Sequence, residues 1–148
     1  MRERRQLRLA KMQMTLARIA RREAMGALAD ALEEERKSDD LAQRSTDMAQ
    51  GYGARRDARS GAQLRALRLM AGGLAEMARD AQRARDDARQ QADWQVEALA
   101  TAENKLQRME ELAGEARRKL ARAEAAREAS RSGGGAMARK LQTSNSNT

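Results

Sequence analysis

Residues 64–123 read LRALRLMAGGLAEMARDAQRARDDARQQADWQVEALATAENKLQRMEELAGEARRKLARA, and their periodicity decides the fold. Apolar or small residues recur on a 3–4 alternation. One set runs Leu64, Ala71, Ala78, Arg85, Ala92, Leu99, Leu106, Ala113, Leu120. The other runs Leu67, Leu74, Ala81, Ala88, Gln95, Ala102, Met109, Ala116, Ala123. A sustained spacing of about 3.5 residues specifies a left-handed coiled coil rather than a helix wrapped on a globular core. No proline interrupts it, so a single helix of roughly 90–100 Å follows at about 1.5 Å per residue.

Composition agrees. The chain has 148 residues with no Phe, Pro, His or Cys, one Tyr and one Trp. Ala, Arg, Leu, Met, Gln and Glu, all strong helix formers, dominate. Such a chain cannot build a thick core, so its apolar surface is expected along a seam between helices. The net charge of +8 invites a nucleic-acid reading. Acids nevertheless alternate with bases along much of the chain, as on the solvated faces of any coiled coil, and no nucleic-acid partner is expected. No apolar run approaches the ~18–20 residues of a membrane span. The basic start, Met1-Arg2-Glu3-Arg4-Arg5, is not followed by the apolar stretch of a secretory signal. A cytoplasmic location is the expectation.

Working outward, residues from about 4 to 50 also read as helix. Leu9, Met12, Leu16 and Ile19 make a 3–4–3 stripe, with Leu7 and Met14 beside it. Its phase then slips at Glu23 and Gly26, a stutter that would unwind a supercoil locally, before Leu41, Met48 and Tyr52 resume it. Gly51-Tyr52-Gly53 and the polar run to Gly61 read as a bend, with a glycine C-cap before it and a Ser60–Gln63 capping box after it. The alternative at this point is one unbroken helix. Gly72-Gly73 marks either close helix approach with a slight kink or a flexible joint, and Arg85 and Gln95 put polar groups into the seam, where they set register or partner choice.

The expected architecture is all-α: an antiparallel two-helix coiled-coil hairpin with a longer second helix and a disordered C-terminal tail. Its hairpin covers 1–131 (helix about 4–50, bend about 51–61, helix about 62–131), and 132–148 is the tail. Folding back near residue 56 sets residue x opposite about 112 − x. Arg117, Arg118, Lys119 and Arg122 would then lie on a single-helix overhang beyond the first helix.

No catalytic set is legible. Without His or Cys there is no acid–base imidazole, thiol nucleophile or ordinary zinc set. The glycines lack a phosphate-loop context. Glu33, Glu34, Glu35, Asp39 and Asp40 read as a solvated face with Arg36 and Lys37. No cofactor, metal or small-molecule substrate is expected, and the chain does not read as an enzyme. Leu69, Met70 and Met77 sit beside seam positions Leu67 and Leu74, with Leu41, Met48 and Tyr52 arriving from the first helix. This is either a wider local core or a docking patch just below the bend, since methionine-rich surfaces adapt well to partners.

A helix of about 47 residues, a Gly-Tyr-Gly bend and a longer heptad helix resemble the FliJ family of flagellar type III export proteins and its injectisome counterparts of the YscO type. The local likeness lies in Met48 and Tyr52 before the bend and Leu67, Met70, Leu74 and Met77 after it; Met, Leu and Ala stand here for most of the family's aromatics. The resemblance implies a non-enzymatic export component that couples a hexameric export ATPase to the membrane export gate, or escorts export chaperones. It places Met48, Tyr52, Met70, Leu74 and Met77 against the gate, and Arg4, Arg5, Arg8, Arg117 and Arg118 against the ATPase ring. Attachment at the inner membrane would then be peripheral, through protein partners. The alternative is a structural coiled-coil dimerisation scaffold unrelated to export.

Overall fold

The structure, a computed structural model, describes the backbone of residues 1–55 and 59–145 and side chains as far as 142, apart from 56–58. Two helices make up the described chain, α1 (Arg2–Gly53) and α2 (Gly61–Asn145), packed against each other as an all-α hairpin. Arg56 and Asp57 of the expected bend lie outside the described residues.

The turn chemistry is visible on both sides of the bend. Gln63 receives the Ser60 cap through its backbone N–H, which donates to Ser60 Oγ at 3.2 Å. Its side-chain oxygen reaches back to accept from the Arg59 N–H at 2.8 Å. These bonds satisfy donors that the first turn of a helix leaves without intrahelical partners. At the end of α1 the expected left-handed glycine cap is absent: no described glycine has a positive φ. Instead the Arg55 N–H donates to the Tyr52 carbonyl at 3.3 Å, tightening the last turn, and the Arg55 guanidinium lies 5.5 Å from the Tyr52 ring centre.

The seam of α2 follows the sequence closely. Every position of the two heptad sets from Leu67 to Ala123 is buried or half-buried, and only Leu64 is exposed. The seam of α1 is a different matter. Apart from Ala27 and Thr46 at its edges, the residues that turn inward are Glu3, Leu7, Ala10, Met14, Ala17, Arg21, Ala24, Leu28, Ala31, Glu35, Ser38, Ala42, Ser45, Ala49 and Tyr52. That is an unbroken 3–4 alternation with no stutter. The Leu9–Met12–Leu16–Ile19 stripe is exposed, which corrects the expectation that it forms the seam. The physical reason is phase. A seam must stay in step with the uninterrupted repeat of α2, and the Leu9 stripe holds its phase for only four positions. The buried residues are nearly all alanine: Ala10, Ala17, Ala42, Ala78, Ala81, Ala92 and Ala113, with Leu106 and Ser45.

The helices form two compact units, Met1–Ala20 with Glu103–Thr148, and Arg21–Ala102. In the first, Arg4 Nη2 bonds Glu124 Oε1 at 3.0 Å, Arg127 Nη2 meets Glu3 Oε2 at 3.3 Å, and Arg18 Nη2 stands 3.9 Å from Glu110 Oε1. The expected fold-back would have put Arg4 near residue 108. Arg117 and Arg118 therefore run beside the first turns of α1, not on an overhang. In the second unit, Gln82 Nε2 donates to Thr46 Oγ1 at 3.3 Å. Arg89 bridges Glu35 at 3.5 Å and Asp39 at 3.6 Å.

Counting along both helices from the Thr46–Gln82 bond brings Gly53 level with about residue 75, so roughly the first four turns of α2 precede the level at which α1 ends. Folding back at residue 56 would have set Gly53 level with residue 59, so the register is displaced. Leu64, the exposed one, is the seam position of α2 that lies furthest beyond that level.

One further boundary differs from expectation. The second helix, expected to end near 131, continues through Gly133, Gly134 and Gly135 to Asn145. Glycine lowers helix propensity by about 1 kcal/mol per residue but does not obstruct helical geometry. Ser132 Oγ donates back to the Glu128 carbonyl at 2.9 Å within this stretch. All residues from 125 to 142 are exposed, so the last turns carry no buried seam. Residues 146–148 of the expected tail lie outside the described residues.

Gly72 and Gly73 do not mark close helix approach, because a Cβ built at either meets nothing within 4 Å. Replacing both with alanine is expected to stabilise the hairpin by about 0.5–1 kcal/mol each, through restricted unfolded-chain freedom and better helix propensity. A rise in the urea midpoint with an unchanged m-value checks this.

Candidate functional site

The heptad geometry gives the Arg21–Ala102 unit two unlike sides. On α1, positions 39 and 46 flank the seam on one side and positions 34, 41 and 48 on the other. On α2, positions 82 and 89 flank one side and positions 70, 77 and 84 the other. The Thr46–Gln82 hydrogen bond and the Asp39–Arg89 ion pair join the first of these flanks across the helices. That side is polar, and the seam cation Arg85 joins it, 4.0 Å from Asp39 and 3.2 Å from Asp86.

The opposite side carries Leu41 and Met48 from α1 with Met70, Met77 and Ala84 from α2. A shallow groove lined by Glu34, Ser38, Ala84, Ala88 and Gln91 runs along it. Met48 and Met70 are 52% exposed and Met77 is 60% exposed, while Leu69 nearby reaches 79%. Tyr52 and Leu74 are half-buried seam residues. The five residues assigned to a docking patch thus divide: three methionines face solvent on one side, and Tyr52 and Leu74 hold the helices together. Leu41, which the sequence already brings toward this patch, completes the row. Its position seven residues before Met48 is the signal that identifies it.

The basic residues also divide. Arg4 is committed to Glu124, while Arg5, Arg8, Arg117 and Arg118 are exposed. Glu3 is half-buried, and its carboxyl is held below the ordinary carboxylate range. Hydrogen bonding from its own backbone N–H is the largest cause; burial works against it, and the N-terminal ammonium and Arg127 lower it further.

The acidic run on α1 is paired, not assembled into a cation cage. Glu33 meets Arg36 at 3.0 Å and Lys37 at 3.9 Å, and Asp40 meets Arg44 at 2.9 Å. Among the described residues no group of three His, Cys, Asp or Glu is placed to hold a metal. No helix among them is long and apolar enough to cross a membrane.

These features define a class, the antiparallel two-helix coiled coil with an alanine seam and apolar residues left outside it. No known family, curated protein or solved structure matches the chain.

Proposed function

We propose that this chain is a non-enzymatic adaptor of a flagellar type III export apparatus, resembling the FliJ family. In this reading it couples the export ATPase hexamer to the membrane export gate, or escorts export chaperones. The observation that carries it is the exposed Leu41–Met48–Met70–Met77 row near the bend. The seam is already filled within the chain, so large apolar side chains left in water on one side have no folding role and suit a partner surface. Met48, Met70 and Met77 meet the gate in this proposal, with Tyr52 and Leu74 holding them in place. Arg5, Arg8, Arg117 and Arg118 meet the ATPase ring, while Arg4 braces them through Glu124. The protein works at the cytoplasmic face of the inner membrane through these protein contacts.

The parallel-dimer scaffold is the less supported alternative, because it needs the α2 seam that α1 occupies here. Binding of the purified chain to the isolated export ATPase and to the cytoplasmic domain of the gate, measured by calorimetry, tests the proposal. Saturable binding to both is the expected result. Binding to neither contradicts it.

A further inference from the structure

The hairpin leaves a second 3–4 stripe of α1 unused. Leu9, Met12, Leu16 and Ile19 lie about half a turn of helix away from the inward positions Ala10, Met14 and Ala17, on the side facing away from α2. They are 49–60% exposed. Leu9 also borders a groove that continues over Gln13 to Leu112 and Lys119 of α2. Large apolar residues confined to strict 3–4 spacing make the narrow seam that suits another helix, whereas a lipid-facing helix presents a broader apolar face, commonly with Trp or Phe.

Charge specifies the chemistry of that helix. One heptad upstream, the stripe's own positions are Arg2 and Arg5, and Arg8 flanks it. Among the described residues Arg2, Arg5, Arg8 and Lys11 have no ion pair, whereas Arg4 and Arg18 turn toward α2 and meet Glu124 and Glu110. The sole acid of Met1–Ala20, Glu3, is already held by Arg127 and the N-terminal ammonium. A second copy of this segment would bring the same excess of cations.

We infer that the Leu9–Met12–Leu16–Ile19 stripe docks an amphipathic helix of a separate protein, with apolar residues at 3–4 spacing and acidic residues facing Arg2, Arg5 and Arg8. Charges flanking such a seam set partner choice. The inference rests on the unit of Met1–Ala20 with Glu103–Thr148 and stands whether or not the export proposal holds.

The test uses the full chain and a synthetic probe: a labelled peptide of about three heptads with Leu at the seam positions and Glu at the flanks, beside a twin with Lys at the flanks. The acidic peptide is expected to bind about ten-fold or more tightly than its twin, with affinity falling as salt rises. Met12→Glu with Leu16→Glu, and the uncharged pair Met12→Gln with Leu16→Gln, should each lose that binding at unchanged helicity. If the Glu pair unfolds the chain, the Gln pair decides. Equal binding of the two peptides, no binding of the acidic one, or binding retained in the folded variants overturns the inference. So does self-association in sedimentation, or binding to phosphatidylglycerol vesicles, that the Gln pair abolishes.

Discussion

Replacing Ala42 or Ala113 with aspartate is expected to cost on the order of 3 kcal/mol of hairpin stability, because each is only 2% exposed and sits where the helices meet. Alanine seams leave no room for a longer side chain to reach water without pushing the helices apart. An aspartate there is desolvated beside apolar methyl groups. The same substitution at Ala66, exposed on α2, should cost less than about 1 kcal/mol, mostly through helix propensity. Thermal and urea unfolding followed by circular dichroism separate the two cases. Equal, small effects at Ala42, Ala113 and Ala66 would mean that the helices are not joined through this seam.

The second large effect concerns function. Met48→Glu, Met70→Glu and Met77→Glu together are expected to weaken binding to the export gate about a hundred-fold or more, as loss of a central apolar contact does in other interfaces. Stability should change little, since all three side chains are already half in water. Leu74 is the informative control. It lies in the seam, so Leu74→Glu should lower the unfolding midpoint. A triple methionine variant that unfolds would place those side chains in the core. One that stays folded and binds the gate normally would remove the docking row from the proposal.

The α2 seam was legible because its repeat runs through some sixty residues without a break, and only Leu64, its first position, departs from it. For α1 the sequence held two competing stripes. Size favoured Leu9, Met12, Leu16 and Ile19, but continuity favoured the alanine-bearing set from Glu3 to Tyr52. Continuity wins because two helices can share a seam only while both keep the same phase. Small residues also let the backbones approach closely, which a row of leucines would prevent. Hydrophobicity alone hides this, because alanine scores weakly as a core residue.

The register was not legible from the glycines. Gly51 and Gly53 mark where α1 stops, but the length of chain between Gly53 and Gly61 permits α2 to start well past that point. Cross-helix charges fix the alignment instead: Arg4 with Glu124, and Arg89 with Glu35 and Asp39. That correction moves Arg117 and Arg118 beside α1 and leaves the start of α2 protruding with Leu69 and Met70 in water. Of the docking patch, the sequence located the region, and only the packing could say which side chains face out.

Because the chain contains no cysteine, paired cysteines report its alignment without background. Thr46→Cys with Gln82→Cys should be joined within a monomer by a short thiol-reactive cross-linker, since the Thr46 hydroxyl and the Gln82 side-chain amide lie 3.3 Å apart across the helices. Thr46→Cys with Ala66→Cys, the pair demanded by folding back at residue 56, should not. Cross-linking of the 46–66 pair, or a 46–82 cross-link found only between two chains, would contradict the hairpin on which both exposed apolar faces depend.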